Sequence, residues 1–270
     1  MGKVQRQEQL LYEQLMENER LTLAKAMELL RVSESTVRRL FANLVADGRA
    51  IRNYGGIQRL PEGTLETYFY DQPPSANILK KQQIAQHAVR FVESGDTLYL
   101  DSGSTLLRFS IALAEQMENN TLSEITVITN AMSNVTVLQK CCRIILLGGE
   151  FQDSCTDLSG YLAENTLRSL RFSKCFLGSS GYDAGFGFSA RDFTLARLNE
   201  IALTNAARSY VLMDSSKFGK TTMVSYSQNC PVGTLITEAP PPPAFAESLT
   251  LHGTAVEIAP PCAEPTAEAP

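Results

Sequence analysis

The segment DSGST at residues 101–105 follows a short apolar run and leads directly into a helical pattern. A helix that begins there directs backbone N–H groups and the positive end of its dipole at the loop. Together with the hydroxyls of Ser102, Ser104 and Thr105, these groups could bind an anion, and a phosphate fits that geometry. Asp101, at the start of the segment, could accept hydrogen bonds from sugar hydroxyls.

Four further loops carry the same kinds of residue where apolar runs end. They contribute Asn130, the pair Gly148 and Gly149, Gly181 with Asp183 in GSSGYD, and Lys217 in DSSKFGK. Lys217 could supply a mobile positive charge, and Asp183 could accept hydrogen bonds from sugar hydroxyls. Each loop alone has only the small residues that a strand-to-helix turn needs, whereas the loops together favour a polar ligand site.

Six apolar runs alternate with helical patterns in this part of the chain. The runs are TLYL (97–100), ITVIT (125–129), RIILL (143–147), KCFLG (174–178), YVLM (210–213) and TLIT (234–237). Strands that are apolar on both faces predict an α/β fold, with a mostly parallel sheet covered by helices. Ligands bind at the carboxyl edge of such sheets, which is where the polar loops fall.

The segment VSESTVRRLFANL, residues 32–44, predicts a helix with one apolar and one polar face. The apolar stripe comprises Val37, Leu40, Phe41, Leu44 and Val45, and the polar face comprises Ser35, Arg38, Arg39 and Asn43. Ser33 can cap the amino end of this helix, and Gly48 follows its last periodic residue. The helix is therefore bounded at both ends.

Two helical patterns precede this helix, and a hairpin pattern follows it. The nearer helix has Thr22 as its cap and Leu23, Ala26, Met27 and Leu30 as its apolar residues, and the earlier helix carries Leu10, Leu11, Tyr12 and Leu15. Three helices with a tight turn before the third form the helix-turn-helix order, in which the third helix enters the major groove. RAIRNYGGIQRL alternates around Gly55 and Gly56, which predicts a β-hairpin wing carrying Arg49, Arg52 and Arg59.

The arginines predict an interface for double-stranded DNA in a chain whose net charge is -5. Residues 31–60 hold six arginines against Glu34 and Asp47. Guanidinium groups can reach guanine O6 and N7 or phosphate oxygens, and an asparagine can pair with adenine. The candidate DNA-binding residues are Ser33, Ser35, Thr36, Arg38, Arg39, Asn43, Arg49 and Arg52. An exposed helical face with solvated charge is the alternative, but the agreement of turn, cap, stripe and wing favours DNA.

Other kinds of chemistry are disfavoured by the sequence. It contains no GxxxxGK[ST] segment and no GxGxxG spacing, so neither ATP nor a dinucleotide is expected and no cofactor is predicted. The six cysteines form no CxxC pair and the two histidines, His87 and His252, are not at ligand spacing, so neither a metal site nor a disulfide scaffold is expected. No apolar run approaches the ~18 residues of a membrane span, and a cytoplasmic protein is expected.

These motifs resemble those of the deoxyribose-repressor (DeoR) family of bacterial transcription regulators over roughly residues 5–258. The resemblance rests on SESTVRRL and GRAIRNYGGI, and on GDTLYLDSGST, TVITN, LLGGEF, FLGSSGYD and LMDSSKFGK. It implies a winged helix and a sensor domain similar to ribose-phosphate-isomerase-type folds, which binds a phosphorylated sugar or sugar alcohol and changes operator affinity. By that similarity the effector site comprises Asp101, Ser102, Gly103, Ser104, Thr105, Asn130, Gly148, Gly149, Gly181, Asp183 and Lys217.

Three features depart from the family's usual pattern. This chain has Leu40 where an acidic residue usually follows the paired arginines, and Glu238 where an aspartate is usual. The segment SARDFTLARLNE lacks the lysine that the family commonly shows nearby. The departures change the charge pattern both on the third helix and in the ligand-binding part.

The sequence predicts a two-domain regulator. The predicted parts are a winged helix-turn-helix domain at 1–60, a linker at 61–77, an effector-binding α/β domain at 78–258 and a disordered tail at 259–270. The expected function is a repressor of carbohydrate-catabolism genes that acts as a homo-oligomer. One alternative is a sugar-phosphate isomerase or hydrolase with an accessory DNA-binding domain, in which Asp101, Asp183, Asp214 and Lys217 do acid–base work. Another is a module whose first helices bind a protein.

Overall fold

The computed structural model describes residues 3–46, 50–53, 55–59, 77–152 and 156–261. The chain divides into two compact units, Met1–Leu79 and Lys80–Pro270. Gly48, Arg49, nearly all of the predicted linker and most of the predicted tail lie outside the described residues, as does the side chain of Arg52. Within the described ranges, no helix is both long and apolar enough to cross a membrane.

The first unit consists of three helices and a small antiparallel sheet. Its elements are α1 (Lys3–Asn18), β1 (Arg20–Thr22), α2 (Leu23–Leu30), α3 (Glu34–Ala46), β2 (Ile51–Asn53) and β3 (Gly56–Gln58). The predicted stripe on α3 is buried, since Val37, Leu40, Phe41 and Leu44 are each at most 1% exposed and share one core with Leu11. The helix-turn-helix order is therefore confirmed.

Both predicted helix caps are present. Thr22 Oγ1 accepts a hydrogen bond from the backbone N–H of Lys25 at 3.4 Å, and Ser33 Oγ accepts one from that of Thr36 at 3.4 Å. A cap of this kind contributes about 1 kcal/mol, because it satisfies a backbone donor that has no partner within the helix. The tight turn between α2 and α3 is thus fixed at the start of α3.

The hairpin differs in detail from its prediction. Gly56 is not a central turn residue but the first residue of β3, where it pairs with Asn53 of β2 and with Thr22 of β1. A Cβ on Gly56 would lie 2.2 Å from the carbonyl oxygen of Leu21, so only glycine lets β1 approach β3 this closely. Gly55, with φ of 82°, supplies the left-handed turn residue.

The second unit is built around a seven-stranded parallel sheet. Its strands are β4 (Thr97–Leu100), β5 (Thr126–Thr129), β6 (Arg143–Leu146), β7 (Glu150–Gln152), β8 (Asp157–Ser159), β9 (Phe172–Gly178), β10 (Gly181–Asp183), β11 (Gly187–Ala190), β12 (Ala206–Leu212), β13 (Val224–Ser225), β14 (Thr234–Thr237) and β15 (Ala255–Ile258). Its helices are α4 (Ile78–Ala88), whose first two residues belong to the first unit, α5 (Ser104–Glu118), α6 (Met132–Leu138), α7 (Tyr161–Arg168), α8 (Phe193–Asn205) and α9 (Pro243–Leu251). The order across the sheet is β15-β14-β12-β9-β4-β5-β6.

Helices cover both faces of this sheet, as the apolar runs predicted. Alternate residues of β4 enter two different cores, with Tyr99 on one face and Leu98 and Leu100 on the other. The neighbouring β9 behaves in the same way, with Cys175 in the first core and Phe176 in the second. All six predicted runs are strands of the sheet, so the α/β class is confirmed.

Several strands were not predicted. The edge strand β15 has partly exposed residues, so it lacks the continuous apolar run of the central strands. The antiparallel pair β7–β8 and the three-stranded antiparallel sheet β10-β11-β13 interrupt the alternation of strand and helix. Of these strands, β10 lies in GSSGYD, which we interpreted as a loop, and the others lie in segments for which we predicted no strand.

Candidate ligand site and nucleic-acid interface

The parallel sheet reverses its direction of growth at β4. After β4 the chain adds β5 and β6 on one side, and later adds β9, β12, β14 and β15 on the other. A crevice forms at such a switch point, because the two neighbouring loops leave the sheet in opposite directions. The loops that leave β4 and β9 begin at Asp101 and Ser179.

Asp101 joins these two loops. Its Oδ2 accepts a hydrogen bond from the backbone N–H of Gly178 at 3.1 Å, and its Oδ1 accepts one from that of Ser102 at 2.7 Å. Asn199 of α8 also donates to this carboxylate. Burial raises the pKa of Asp101 to about 7 against these hydrogen bonds, and the charge of Asp157 adds to the rise. The group therefore titrates near neutral pH.

A buried hydrogen-bond network fixes the backbone of Asp101. Asn134 Nδ2 donates to the Asp101 carbonyl and to Thr129 Oγ1, each at 3.0 Å, and its Oδ1 accepts from Ser110 Oγ at 3.0 Å. Thr129 Oγ1 donates to the carbonyl of Leu100 at 2.7 Å. Sequence reasoning missed Asn134, because its role depends on the packing of α6 against the end of β4.

A second buried carboxylate, Asp157, lies beside Asp101. Asp157 is 1% exposed, accepts a hydrogen bond from the Ser102 side chain, and has a pKa raised by burial. The strand β8 that carries it is held at the end of β5 by the N–H of Leu158, which donates to the Asn130 carbonyl at 2.8 Å. Tyr99 OH donates to Asn130 Oδ1 at 3.4 Å. Asp157 was missed because it lies on a short antiparallel strand between the predicted runs, where the sequence pattern predicted no strand.

Cationic side chains meet at the other end of the DSGST loop. Lys81 of α4 is only 7% exposed, and its Nζ donates to Ser104 Oγ at 3.1 Å. The pKa of Lys81 is lowered to about 8, chiefly by burial and also by the charges of Lys217 and Arg108, although the charge of Asp214 opposes the change. Lys217 Nζ donates to the carbonyl of Ser179. Burial also lowers the pKa of Lys217.

Lys81 is a further functional candidate that sequence reasoning missed. It lies on the helix before β4 rather than in a loop after a strand, so the pattern of polar residues at the ends of the predicted strands does not include it. The available signal was the KK pair at residues 80–81, followed by apolar residues at helical spacing. That pattern permitted a lysine on the buried side of the helix.

The remaining residues of the first loop have structural positions consistent with an anion site. Gly103 precedes the first residue of α5 with φ of 120°, a conformation that strains other residues. Thr105, in the first turn of α5, is 4% exposed. The helix begins at Ser104, so its first backbone donors lie beside the Lys81–Ser104 contact.

Two of the predicted glycines are required by backbone packing. A Cβ on Gly149 would lie 2.4 Å from the carbonyl oxygen of Ser159, and one on Gly181 would lie 2.2 Å from that of Lys220. Gly148 has open space around its Cβ position. Gly149 and Gly181 therefore let strands and loops approach each other at the site, whereas Gly148 leaves room beside it.

In the first unit, α3 presents the predicted arginines to solvent. Arg38 and Glu34 form an ion pair of 2.7 Å, with side chains 57% and 53% exposed, and Arg39 is also exposed. The hydroxyl of Ser33 lies 3.0 Å from those of both Ser35 and Thr36. These side chains form a polar surface at the amino half of α3.

Asn43 occupies a different environment from the arginines. It is half-buried, and its Nδ2 donates to Glu8 Oε1 of α1 at 2.7 Å. The amide therefore joins α3 to α1, and the pairing with adenine that we predicted for Asn43 would require this contact to break. Helical periodicity placed Asn43 on the polar face but could not locate α1.

Comparison with known proteins assigns both units. Residues 6–62 match the model of the DeoR-like helix-turn-helix domain, and residues 76–239 match that of the DeoR C-terminal sensor domain. The chain belongs to the DeoR family. It is therefore a helix-turn-helix transcriptional regulator with a sensor domain.

Relatives with similar architecture cover most of this DeoR-family chain. The HTH-type transcriptional regulator FruR of Bacillus subtilis is 32% identical over 85% of this chain and 88% of its own. The lactose phosphotransferase system repressor of Staphylococcus epidermidis is 32% identical over 78% and 83%, and the glycerol-3-phosphate regulon repressor of Escherichia coli is 28% identical over 84% and 88%. Ribose 5-phosphate isomerase A of Methanocaldococcus jannaschii matches 53% of this chain and 55% of its own, at 18% identity and a TM-score of 0.39.

Two acidic residues of the DeoR-family sensor domain make local contacts. Asp183 Oδ1 accepts a hydrogen bond from the N–H of Gly185 at 2.9 Å, within the turn between β10 and β11. Glu238, at a position where the family usually has aspartate, accepts from Lys80 at 2.8 Å and from the N–H of Ser215 at 2.9 Å. The longer side chain of Glu238 thus ties α4 to the loop that carries Lys217.

We expect Asp101 to make the stability of this regulator depend on pH. An aspartate in the unfolded chain titrates near pH 4, whereas Asp101 titrates at about 7 in the fold. The folded state therefore binds more protons between these values, and the free energy of unfolding falls as pH rises through that window. The free energy of unfolding of Asp101→Asn, measured relative to that of wild type, should therefore increase by on the order of 3 kcal/mol between pH 4.5 and 8.

Urea-induced unfolding, followed by circular dichroism at a series of pH values, measures this difference. If the free energies of unfolding of wild type and Asp101→Asn changed equally with pH, the raised pKa of Asp101 would be contradicted.

Proposed function

We propose that this DeoR-family regulator represses carbohydrate-catabolism genes and releases its operator when a phosphorylated sugar or sugar alcohol binds at the carboxyl edge of its parallel sheet. The supporting observation is the chemistry at the two ends of the DSGST loop. Ser104 contacts the buried cation Lys81, and Ser102 contacts the buried carboxylate Asp157. A ligand that carries a phosphate at one end and hydroxyl groups at the other complements both.

The phosphate end is assigned to the cations. Burial and, after it, repulsion by Lys217 lower the pKa of Lys81, so an added anion would relieve that repulsion. The amino end of α5 adds backbone donors and the positive end of a helix dipole. One relative is named for the glycerol-3-phosphate regulon, which agrees with a phosphorylated polyol as effector.

The enzyme alternative has one observation in its favour. A carboxyl group with a pKa of about 7, as in Asp101, is suited to general acid–base catalysis. A sugar-phosphate isomerase, however, gives no role to the helix-turn-helix domain. Incubation with sugar phosphates and analysis of the products separates the two functions, and we expect the sugar phosphates to be recovered unchanged.

Operator binding should depend on the arginines of α3. Arg38→Ala and Arg39→Ala should each weaken specific binding by about 1 to 3 kcal/mol, because each removes contacts to base edges or phosphates. Fluorescence anisotropy with a labelled duplex from upstream of the chain's own gene measures the loss. Arg168→Ala is a matched control, since Arg168 forms a similar exposed pair with Glu164 at 2.8 Å in the sensor domain. Wild-type affinity in both α3 variants would exclude these arginines from the interface.

The effector response should depend on Lys81. Lys81→Met should retain operator binding but require at least about tenfold more sugar phosphate for release, because a buried cation no longer meets the phosphate. Lys140→Met, which removes an exposed lysine, serves as the control. If Lys81→Met released the operator at the same sugar-phosphate concentration as wild type, the assignment of Lys81 to the phosphate would be contradicted.

In the same assay, the affinity for the effector should depend on pH because Lys81 titrates. A phosphate monoester is fully charged above pH ~7, whereas Lys81 loses its proton at about pH 8. Wild-type affinity for the effector should therefore fall by up to about tenfold per pH unit above 8. Lys81→Met should flatten this profile.

The regulator should act as a two-fold symmetric dimer. Helix-turn-helix dimers bind half-sites one helical turn apart, about 10 bp, or a multiple of that spacing. Hydroxyl-radical footprinting should show protection with this phase, and sedimentation equilibrium should give twice the chain mass. Unphased protection by a monomer would contradict this assembly.

A further inference from the structure

Four buried side chains around Asp101 each have a polar atom without a hydrogen-bond partner in the part of the chain that the structure describes. The atoms are Asn130 Nδ2, Asp157 Oδ2, Ser159 Oγ and Asn199 Oδ1. Their residues are between 0% and 2% exposed. Buried polar atoms without partners are rare in folded proteins because leaving them unsatisfied costs free energy. A group of them therefore requires an explanation.

These four residues belong to one place in the fold. Asn199 donates to Asp101, and the charge of Asp157 raises the pKa of Asp101. The carbonyl of Asn130 accepts a hydrogen bond from the N–H of Leu158, which stands between Asp157 and Ser159 in β8. The end of β5 and strand β8 therefore lie side by side. Gly149 packs closely against the carbonyl of Ser159 in β8.

The unsatisfied atoms complement hydroxyl groups. Asn130 Nδ2 is a donor, Asp157 Oδ2 and Asn199 Oδ1 are acceptors, and Ser159 Oγ can act as either. A hydroxyl group also donates one hydrogen bond and accepts others, so a short chain of hydroxyls can satisfy donors and acceptors together. A phosphate does not fit here, because Asp101 and Asp157 would repel it.

We propose that Asn130, Asp157, Ser159 and Asn199 form a hydroxyl-binding subsite beside Asp101, which selects the effector by the hydroxyl groups on its carbon chain. The inference rests on the proposed function, since it places the phosphate of the same ligand at Lys81 and Lys217. Asp157, Ser159 and Asn199 are the new assignments. They determine which phosphorylated compound binds, whereas the cations determine that it is phosphorylated.

The test compares pairs of ligands that share a phosphate and a chain length. The probes are glycerol 3-phosphate, ribitol 5-phosphate and sorbitol 6-phosphate, each paired with the unhydroxylated alkyl phosphate of the same number of carbons. Isothermal titration calorimetry on the full chain gives a Kd for each. The selectivity is the Kd of the alkyl phosphate divided by that of the matched polyol phosphate. We expect at least about a hundredfold selectivity for the best polyol phosphate, because a site built for hydroxyls rejects analogues that lack them.

Two variants test the subsite. Ser159→Ala and Asp157→Asn should each lower the selectivity by about tenfold or more while leaving the Kd of the alkyl phosphate within about threefold of wild type. Ser159→Ala should fold at least as stably as wild type, because its hydroxyl has no partner among the described residues. Ser173→Ala is the control: this hydroxyl donates to Asp96 at 2.7 Å at the amino end of β9, and its loss should not change the selectivity.

The outcomes separate this inference from the proposed function. If wild type binds neither member of any pair, the phosphorylated effector itself is wrong. If it binds both members equally, the phosphate assignment survives and the hydroxyl subsite is overturned. Unchanged selectivity in Ser159→Ala and Asp157→Asn would also overturn the subsite, since the unsatisfied atoms would then be hydrated rather than used by the ligand.

Discussion

The sensor domain depends on keeping the Asp101 carboxylate buried at the switch point of its sheet. This group accepts hydrogen bonds from the N–H of Gly178 at the end of β9 and from that of Ser102 in the loop after β4, so it holds the ends of β4 and β9 at fixed positions. Burial opposes this arrangement, because it disfavours the charged form. The pKa of Asp101 is raised for this reason. The hydrogen bond from Asn134 to the Asp101 carbonyl stabilises the backbone at this position.

Charge is separated along the short DSGST loop. Ser102 contacts Asp157, and two residues later Ser104 contacts Lys81. Both the carboxylates and the lysines are shifted by burial toward their neutral forms, so each cluster is poised to gain from a ligand group of the right kind. In the proposed site, a phosphate would stabilise the charged form of the lysines, and hydroxyl groups would satisfy the carboxylates without adding charge.

The sequence predicted the parts of the molecule whose patterns are local. The stripe on α3, the caps at Thr22 and Ser33, and the buried strands follow from periodicities of a few residues, and the structure contains each of them. Lys81, Asp157 and Asn199 could not be found in this way. They come from a preceding helix, a short antiparallel strand and a later helix, and only the tertiary fold brings them to the DSGST loop. Asn43 shows the same limit, since its spacing placed it on the polar face of α3 but could not show that Glu8 of α1 contacts its amide.

The two arginines of α3 start from different states, and this difference bears on how the regulator finds its operator. Arg38 is paired with Glu34, whereas Arg39 is simply exposed. An exposed pair of this kind contributes less than about 1 kcal/mol, so breaking it costs less than a good bidentate contact to guanine returns. At a site without that guanine, however, Arg38 retains Glu34 and gains nothing by leaving it. If Arg38 contacts guanine as we propose, Glu34 would lower affinity for non-specific DNA more than affinity for the operator, and would thereby contribute to specificity although it makes the surface less positive.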